Sequence, residues 1–288
     1  MLLLFALPVG LAIGAISGFF GVGGGFLLTP LLLLLGYPPT TAITISLLYS
    51  MSTSISGALT YIQSKNILLK TAVFLALSGM IGTQLAKPVI LYLTENGLDD
   101  AVISILYLFL LGYFAISMFL KAPNTEGTNV TSTISPLQTI LIGLLGGFIS
   151  SILGVGGGFV MVPLLINVLH LPARLAVGTS LTSIFFIVST GFFSYIQTVT
   201  IPLTLAILLV SGALFGARFG AKITASFSEE MIKKLLATLY LFTLMSILFK
   251  LLHHATSGLL LLVGYIVTLI ILFLYQYWTK KKRLFFFE

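Results

Sequence analysis

Long apolar runs dominate the chain, broken at intervals by short polar, glycine-rich or proline-rich stretches. The runs predict helical segments at 2–20, 26–36, 41–62, 67–92, 100–120, 137–153, 159–169, 174–197, 200–223, 231–250 and 257–278. Most approach the about 20 residues needed to cross a hydrocarbon layer ~30 Å thick. The segments at 26–36 and 159–169 do not: at 1.5 Å per residue they reach about 16 Å, half of that thickness. No stretch shows the alternation over about 10 residues that marks a membrane β-barrel strand. The expected fold class is therefore an all-α polytopic membrane protein.

Composition agrees. The 288 residues are 58% hydrophobic and 7% charged, whereas a soluble domain carries about a quarter charged residues. The net charge of +7 then points to loops facing anionic lipid, not to nucleic acid. The absence of cysteine rules out disulfides and thiolate sites. The opening "MLLLFALPVGLAIGAISGFFG" lacks the basic region of a signal peptide. Its second half also recurs later in the chain, so it is expected to belong to the mature fold.

That recurrence organises the sequence. Residues 14–30, GAISGFFGVGGGFLLTP, and 147–163, GFISSILGVGGGFVMVP, share 10 of 17 positions at a spacing of 133. At a spacing of 134, Ser46-Leu47 matches Ser180-Leu181, Gly57 matches Gly191, and Tyr61-Ile62-Gln63 matches Tyr195-Ile196-Gln197. The reading is a first repeat over 1–120, a polar linker over 121–136, a second repeat over 137–250, and an extra span with a basic tail over 251–288. Loop charge orients the halves. If the two arms around each glycine cluster form a hairpin, each half makes an odd number of crossings and the halves are inverted. Twelve of the 14 Lys and Arg residues then share one side, with Lys87 and Lys250 opposite. If the arms form one broken crossing, the halves are parallel and the division is 10 against 4. The hairpin arrangement is favoured, with the N-terminus outside, the C-terminus cytoplasmic and the chain in the cell membrane.

The clusters GVGGG at 21–25 and 154–158 would then lie near the midplane, where irregular backbone must be buried in protein or line a wet cavity. Glycine permits positive φ and lets backbone N–H groups approach a ligand. The helices that follow point their positive ends at the break. The candidate anion site is thus built from Gly21, Gly23, Gly24 and Gly25 with Gly154, Gly156, Gly157 and Gly158, the broken-helix geometry of many secondary transporters. Close helix packing is the alternative use of such glycines. Ser46, Thr179 and Ser180 add hydroxyls near the next helix starts. Gln63 and Gln197 are placed at two vestibules beside interfacial Tyr61 and Tyr195, and Arg218 is read as an anion collector at the inner mouth.

The paired GVGGGF…P segments, the AVGTSL stretch at 176–181 and the two-half build resemble the sulfite exporter TauE/SafE family. The resemblance covers about residues 10–250. It implies a transporter of small sulfur oxyanions such as sulfite, or of organosulfonates such as sulfoacetate. The first half departs from the pattern, with AITISL at 42–47. An anion channel or an uptake permease would use the same segments.

The seven acids, Glu95, Asp99, Asp100, Glu126, Glu229, Glu230 and Glu288, all map to loops or the terminus, so no mid-span carboxylate offers a proton relay. His170, His253 and His254 lack metal-ligand spacing, and no catalytic constellation lies at membrane depth. The expectation is a non-enzymatic transporter with a small anionic substrate and the lipid bilayer as partners. It needs no metal or cofactor, and the sequence fixes no oligomeric state.

Overall fold

A computed structural model describes residues 2–120 and 135–285, with side chains over 5–118 and 135–279. Most of the 121–136 linker and the side chains of Lys121, Glu126, Lys280, Lys281, Lys282, Arg283 and Glu288 lie outside the described residues. The described residues form eleven α-helices and no strand: α1 (Leu2–Phe20), α2 (Gly25–Leu34), α3 (Pro39–Gln63), α4 (Leu69–Glu95), α5 (Asp99–Leu120), α6 (Pro136–Leu153), α7 (Gly158–Asn167), α8 (Ala173–Tyr195), α9 (Leu203–Ile223), α10 (Glu229–Leu251) and α11 (Ala255–Phe285). A 3₁₀ turn, Thr224–Ser226, follows α9. Eight helices (α3–α6 and α8–α11) are long and apolar enough to cross a membrane, while α2 and α7 have 10 residues each.

The helix ends follow local chemistry. Proline occupies the first turn of α3 and of α6, where its missing N–H costs no helical bond. Ser228 caps α10 by accepting from the Met231 N–H, and Glu229 and Glu230 stand in its first turn, favourable to the helix dipole. Pro163 inside α7 deprives the Phe159 carbonyl of its usual donor. The Tyr240 hydroxyl supplies the replacement at 2.9 Å.

Packing follows the repeat. Helix α1 lies on α9, and its counterpart α6 lies on α4. Helix α3 packs on α8, α3 on α9 as α8 on α4, and α5 on α10. Each of these pairs joins one helix from residues 1–120 to one from 137–250, so the halves interlock across their whole length. Small residues make the closest pairs possible. Gly10, Gly14 and Gly18 recur every fourth residue along α1 and face Leu209, Ala213 and Ala217 of α9. Gly212, Gly216 and Gly220 answer from the other side, where a Cβ at Gly220 would run into the Ala15 carbonyl. On α4–α6, a Cβ at Gly147 would strike the Gly79 carbonyl. Helix α11 closes the outside against α10 and α1 and is largely exposed, as expected of a lipid-facing surface.

Gly220→Ala is expected to destabilise the detergent-solubilised protein by about 2 kcal/mol through backbone overpacking, read as a lowered thermal midpoint. Gly264→Ala, where nothing lies within 4 Å of the added carbon, should leave that midpoint unchanged or slightly raised.

Candidate functional site

Both glycine clusters interrupt their helices. Between α1 and α2, Gly21 and Gly23 take φ of +68° and +76°; between α6 and α7, Gly154, Gly156 and Gly157 take +69°, +88° and +78°. Side-chain-bearing residues rarely adopt these angles. Every residue over 13–33 and 150–163 is buried, so the breaks lie inside protein, where irregular backbone at membrane depth is tolerated.

The two breaks touch each other. A Cβ at Gly25 would strike the Gly154 carbonyl, one at Gly158 the Gly21 carbonyl, and one at Gly23 would lie 3.0 Å from the Val155 carbonyl oxygen. Immediately beyond, the equivalent residues Phe26 and Phe159 stack at 5.8 Å and 13°, with Tyr240 edge-on to Phe26 at 5.5 Å. Close approach therefore demands glycine as much as positive φ does. A Cβ at Gly24 would enter the Tyr49 ring, so valine there would disturb packing as well as any bound solute.

The two helix starts are not alike. At α2, the Gly24 N–H donates to Thr53 Oγ1 at 3.2 Å and the Gly25 N–H to Ser50 Oγ at 2.7 Å. The Phe26 and Leu27 N–H groups return to the Gly23 and Gly24 carbonyls. At α7, Val160 and Met161 donate back to the Gly157 carbonyl. The N–H groups of Gly157, Gly158 and Phe159, however, have no acceptor among the described residues. The cause is readable in the repeat: the positions 134 after Ser50 and Thr53 are Ile184 and Ile187, which cannot accept. Beside this bare end stands Ser150, 1% exposed, its hydroxyl without a partner and its Cβ 3.4 Å from where a Gly157 Cβ would be. Buried N–H groups left unpaired are costly, and they form a donor cluster with a positive helix end behind it.

The hydroxyls named from sequence take different parts. Ser180 donates to the Gly21 carbonyl at 3.1 Å, and Thr179 accepts from the Leu68 N–H at 3.1 Å. Ser46 is buried with no partner. Gly178 lets the α3–α4 connection lie directly on α8, where a Cβ would meet the Asn66 carbonyl. Thr44 and Ile45 occupy the corresponding sites on α3. The difference between AITISL and AVGTSL therefore coincides with the docking of this connection on α8.

Gln63 and Gln197 are both exposed. Gln63 lines a cavity of about 300 Å³ that also includes Tyr61, Arg174 and Lys222. Arg218 is exposed one turn before Lys222 and outside that lining. Tyr61 and Tyr195, read above as interfacial, are buried at 2% and 0% exposure. The Tyr61 hydroxyl donates to the Gly18 carbonyl at 3.2 Å, and the Tyr195 hydroxyl to the Ser151 carbonyl at 3.1 Å. These tyrosines hold the last turns of α1 and α6, just ahead of the glycines. Tyr107 does the same at the Leu153 carbonyl. Their recurrence at 134 for Tyr61 and Tyr195, and at 133 for Tyr107 and Tyr240, was the available sequence signal. Among the described residues, the acids lie in helix end turns. Lys250 pairs with Asp100, and Arg174 with Glu229 at 3.5 Å.

Broken helices, eight apolar spans and a buried donor cluster define a multi-pass membrane protein of the transporter class. The family described as Sulfite exporter TauE/SafE matches residues 6–247, and the chain belongs to it. Among curated proteins, it is similar to the probable membrane transporter protein YjnA of Bacillus subtilis (strain 168), 29% identical over 194 residues, which are 63% of this chain and 74% of the relative. It is also similar to YunE of the same organism, a probable membrane transporter protein, at 26% identity covering 72% of this chain and 83% of the relative. A third relative is the probable membrane transporter protein MJ0441 of Methanocaldococcus jannaschii, at 28% identity covering 69% and 74%. No solved structure matches the chain.

Ser50→Ala removes the acceptor of the buried Gly25 N–H and is expected to destabilise by about 1–3 kcal/mol, measured by thermal unfolding in detergent. Ser150→Ala, which breaks no hydrogen bond, should unfold at the wild-type temperature.

Proposed function

We propose that this transporter exports a small sulfur-containing anion, sulfite or an organosulfonate such as sulfoacetate, and that the solute is held at the glycine breaks between the halves. The observation that carries the reading is the unpaired N–H trio of Gly157, Gly158 and Phe159, beside the unpartnered Ser150 hydroxyl, in the buried centre. Backbone donors recognise an oxyanion without a fixed counter-charge, so the solute binds and leaves without breaking an ion pair. The two halves would rock about the contact between the glycine loops, exposing the site to each side in turn.

An inverted arrangement is supported by which helix ends meet. Gln63 and Asn66 share one cavity with Arg174 and Lys222, and Asp100 pairs with Lys250. A parallel arrangement would separate Asn66 from Arg174 by the membrane. On this reading the protein lies in the cell membrane with the basic ends cytoplasmic and the N-terminus outside. Outward movement of an anion from a negative interior gains about 2.3 kcal/mol per charge per 100 mV, a driving force that asks for no proton-carrying side chain and no catalytic step.

Flux of sulfite, thiosulfate and sulfoacetate in proteoliposomes, with voltage and pH set independently, tests the reading. Sulfite flux is expected to follow voltage at equal pH. Ser150→Ala should lower it about tenfold at unchanged stability, whereas Ser17→Ala, at the capped break, should change it little. Equal fluxes in the two variants would remove the bare α7 end from the mechanism. Because the chain has no cysteine, single-cysteine variants report topology: Lys65→Cys should react with an impermeant maleimide only from the cytoplasmic side, and Asn96→Cys only from outside.

A further inference from the structure

The cavity of about 300 Å³ lies where α3 and α9 end and α8 begins. It is separate from the glycine breaks: its floor is Tyr61, whose hydroxyl bonds Thr224 Oγ1 at 2.9 Å and the Gly18 carbonyl. Its lining contains two cations, Arg174 and Lys222, and no carboxylate. Arg174 is fixed from behind. Its Nε faces Glu229, its own backbone N–H donates to the same carboxylate, and one terminal amino group donates to the Phe227 carbonyl. The other terminal amino group has no partner among the described residues. Lys222 is exposed and has no acidic partner among them. Glu229 offsets Arg174, so the cavity keeps about one uncompensated positive charge, with the side-chain amides of Gln63 and Asn66 beside it. The volume stands at the small end of ligand sites.

We propose that this cavity is an anion-binding site in its own right, taking a small sulfonate or sulfite-type oxyanion on Lys222, Arg174 and the Gln63 and Asn66 amides. A concave site with cationic walls concentrates anions. Its position suits loading. Asn66 and Tyr61 both pack on Gly178, and Val177, the residue before it, packs on Gly21 of the first break. Binding itself rests on the charge and shape of the cavity; only the loading role rests on the transport reading above.

Two measurements on the full-length protein test it. Acetylation of Lys222 by an impermeant acylating reagent, followed by mass spectrometry in detergent, is expected to slow about three-fold in methanesulfonate relative to chloride at matched ionic strength. Acetylation of Lys65, exposed outside the lining, should be unchanged. Equal rates at Lys222 in the two salts would overturn the site. In proteoliposomes, Lys222→Gln should raise the KM for sulfite about three-fold with little change in maximal rate, and Lys222→Arg should restore it. An unchanged KM in Lys222→Gln would refute the loading role. Protection of Lys222 in a protein that moves no sulfite would support the cavity and count against the central transport site.

Discussion

Backbone polar groups cannot be left bare in hydrocarbon, and this constraint organises the molecule. A chain that breaks two helices at membrane depth must bury both breaks in protein. The fold does so by pressing the breaks against each other, loop on loop, with Phe26 stacked on Phe159 just beyond. The four tyrosines Tyr61, Tyr195, Tyr107 and Tyr240 then supply donors to carbonyls left by the interrupted helices and by Pro163. The glycine zippers between α1 and α9 and between α4 and α6 bring the helices close enough to seal the centre.

Within that enclosure the duplicated halves have diverged at a few positions. Ser50 and Thr53 pair the first helix start with hydroxyls; Ile184 and Ile187 leave the second one bare. Gly178 and Thr179 dock the α3–α4 connection on α8, where α3 carries Thr44 and Ile45. The start of α2 is therefore paired by hydroxyls of its own half and the start of α7 is not, an asymmetry that two identical halves could not have.

The helices themselves were legible because membrane spans follow from apolar run length. The expected segment at 41–62 is α3 at Pro39–Gln63, and the half-length segments are α2 and α7. The breaks were legible because four glycines in five residues have few other uses inside an apolar chain. Tyr61 and Tyr195 were read as interfacial because tyrosine is enriched there. Burial is possible only because carbonyls of α1 and α6 stand within reach of their hydroxyls, a relation between elements far apart along the chain. Arg218 and Lys222 were near-equivalent by helical rise, and both are exposed; only the direction of each side chain decides that Lys222 lines the cavity and Arg218 does not.

What the sequence determined by itself was the set of spans, the duplication and the points where helix must fail, since each depends on local composition and a fixed residue spacing. Tertiary structure decided which helix of one half seats on which of the other, that the two breaks meet face to face, and that only one helix start is left uncapped. Those outcomes depend on contacts between residues of different helices, some more than a hundred positions apart, where the absence of a single Cβ or the presence of a single hydroxyl changes what fits and what is paired.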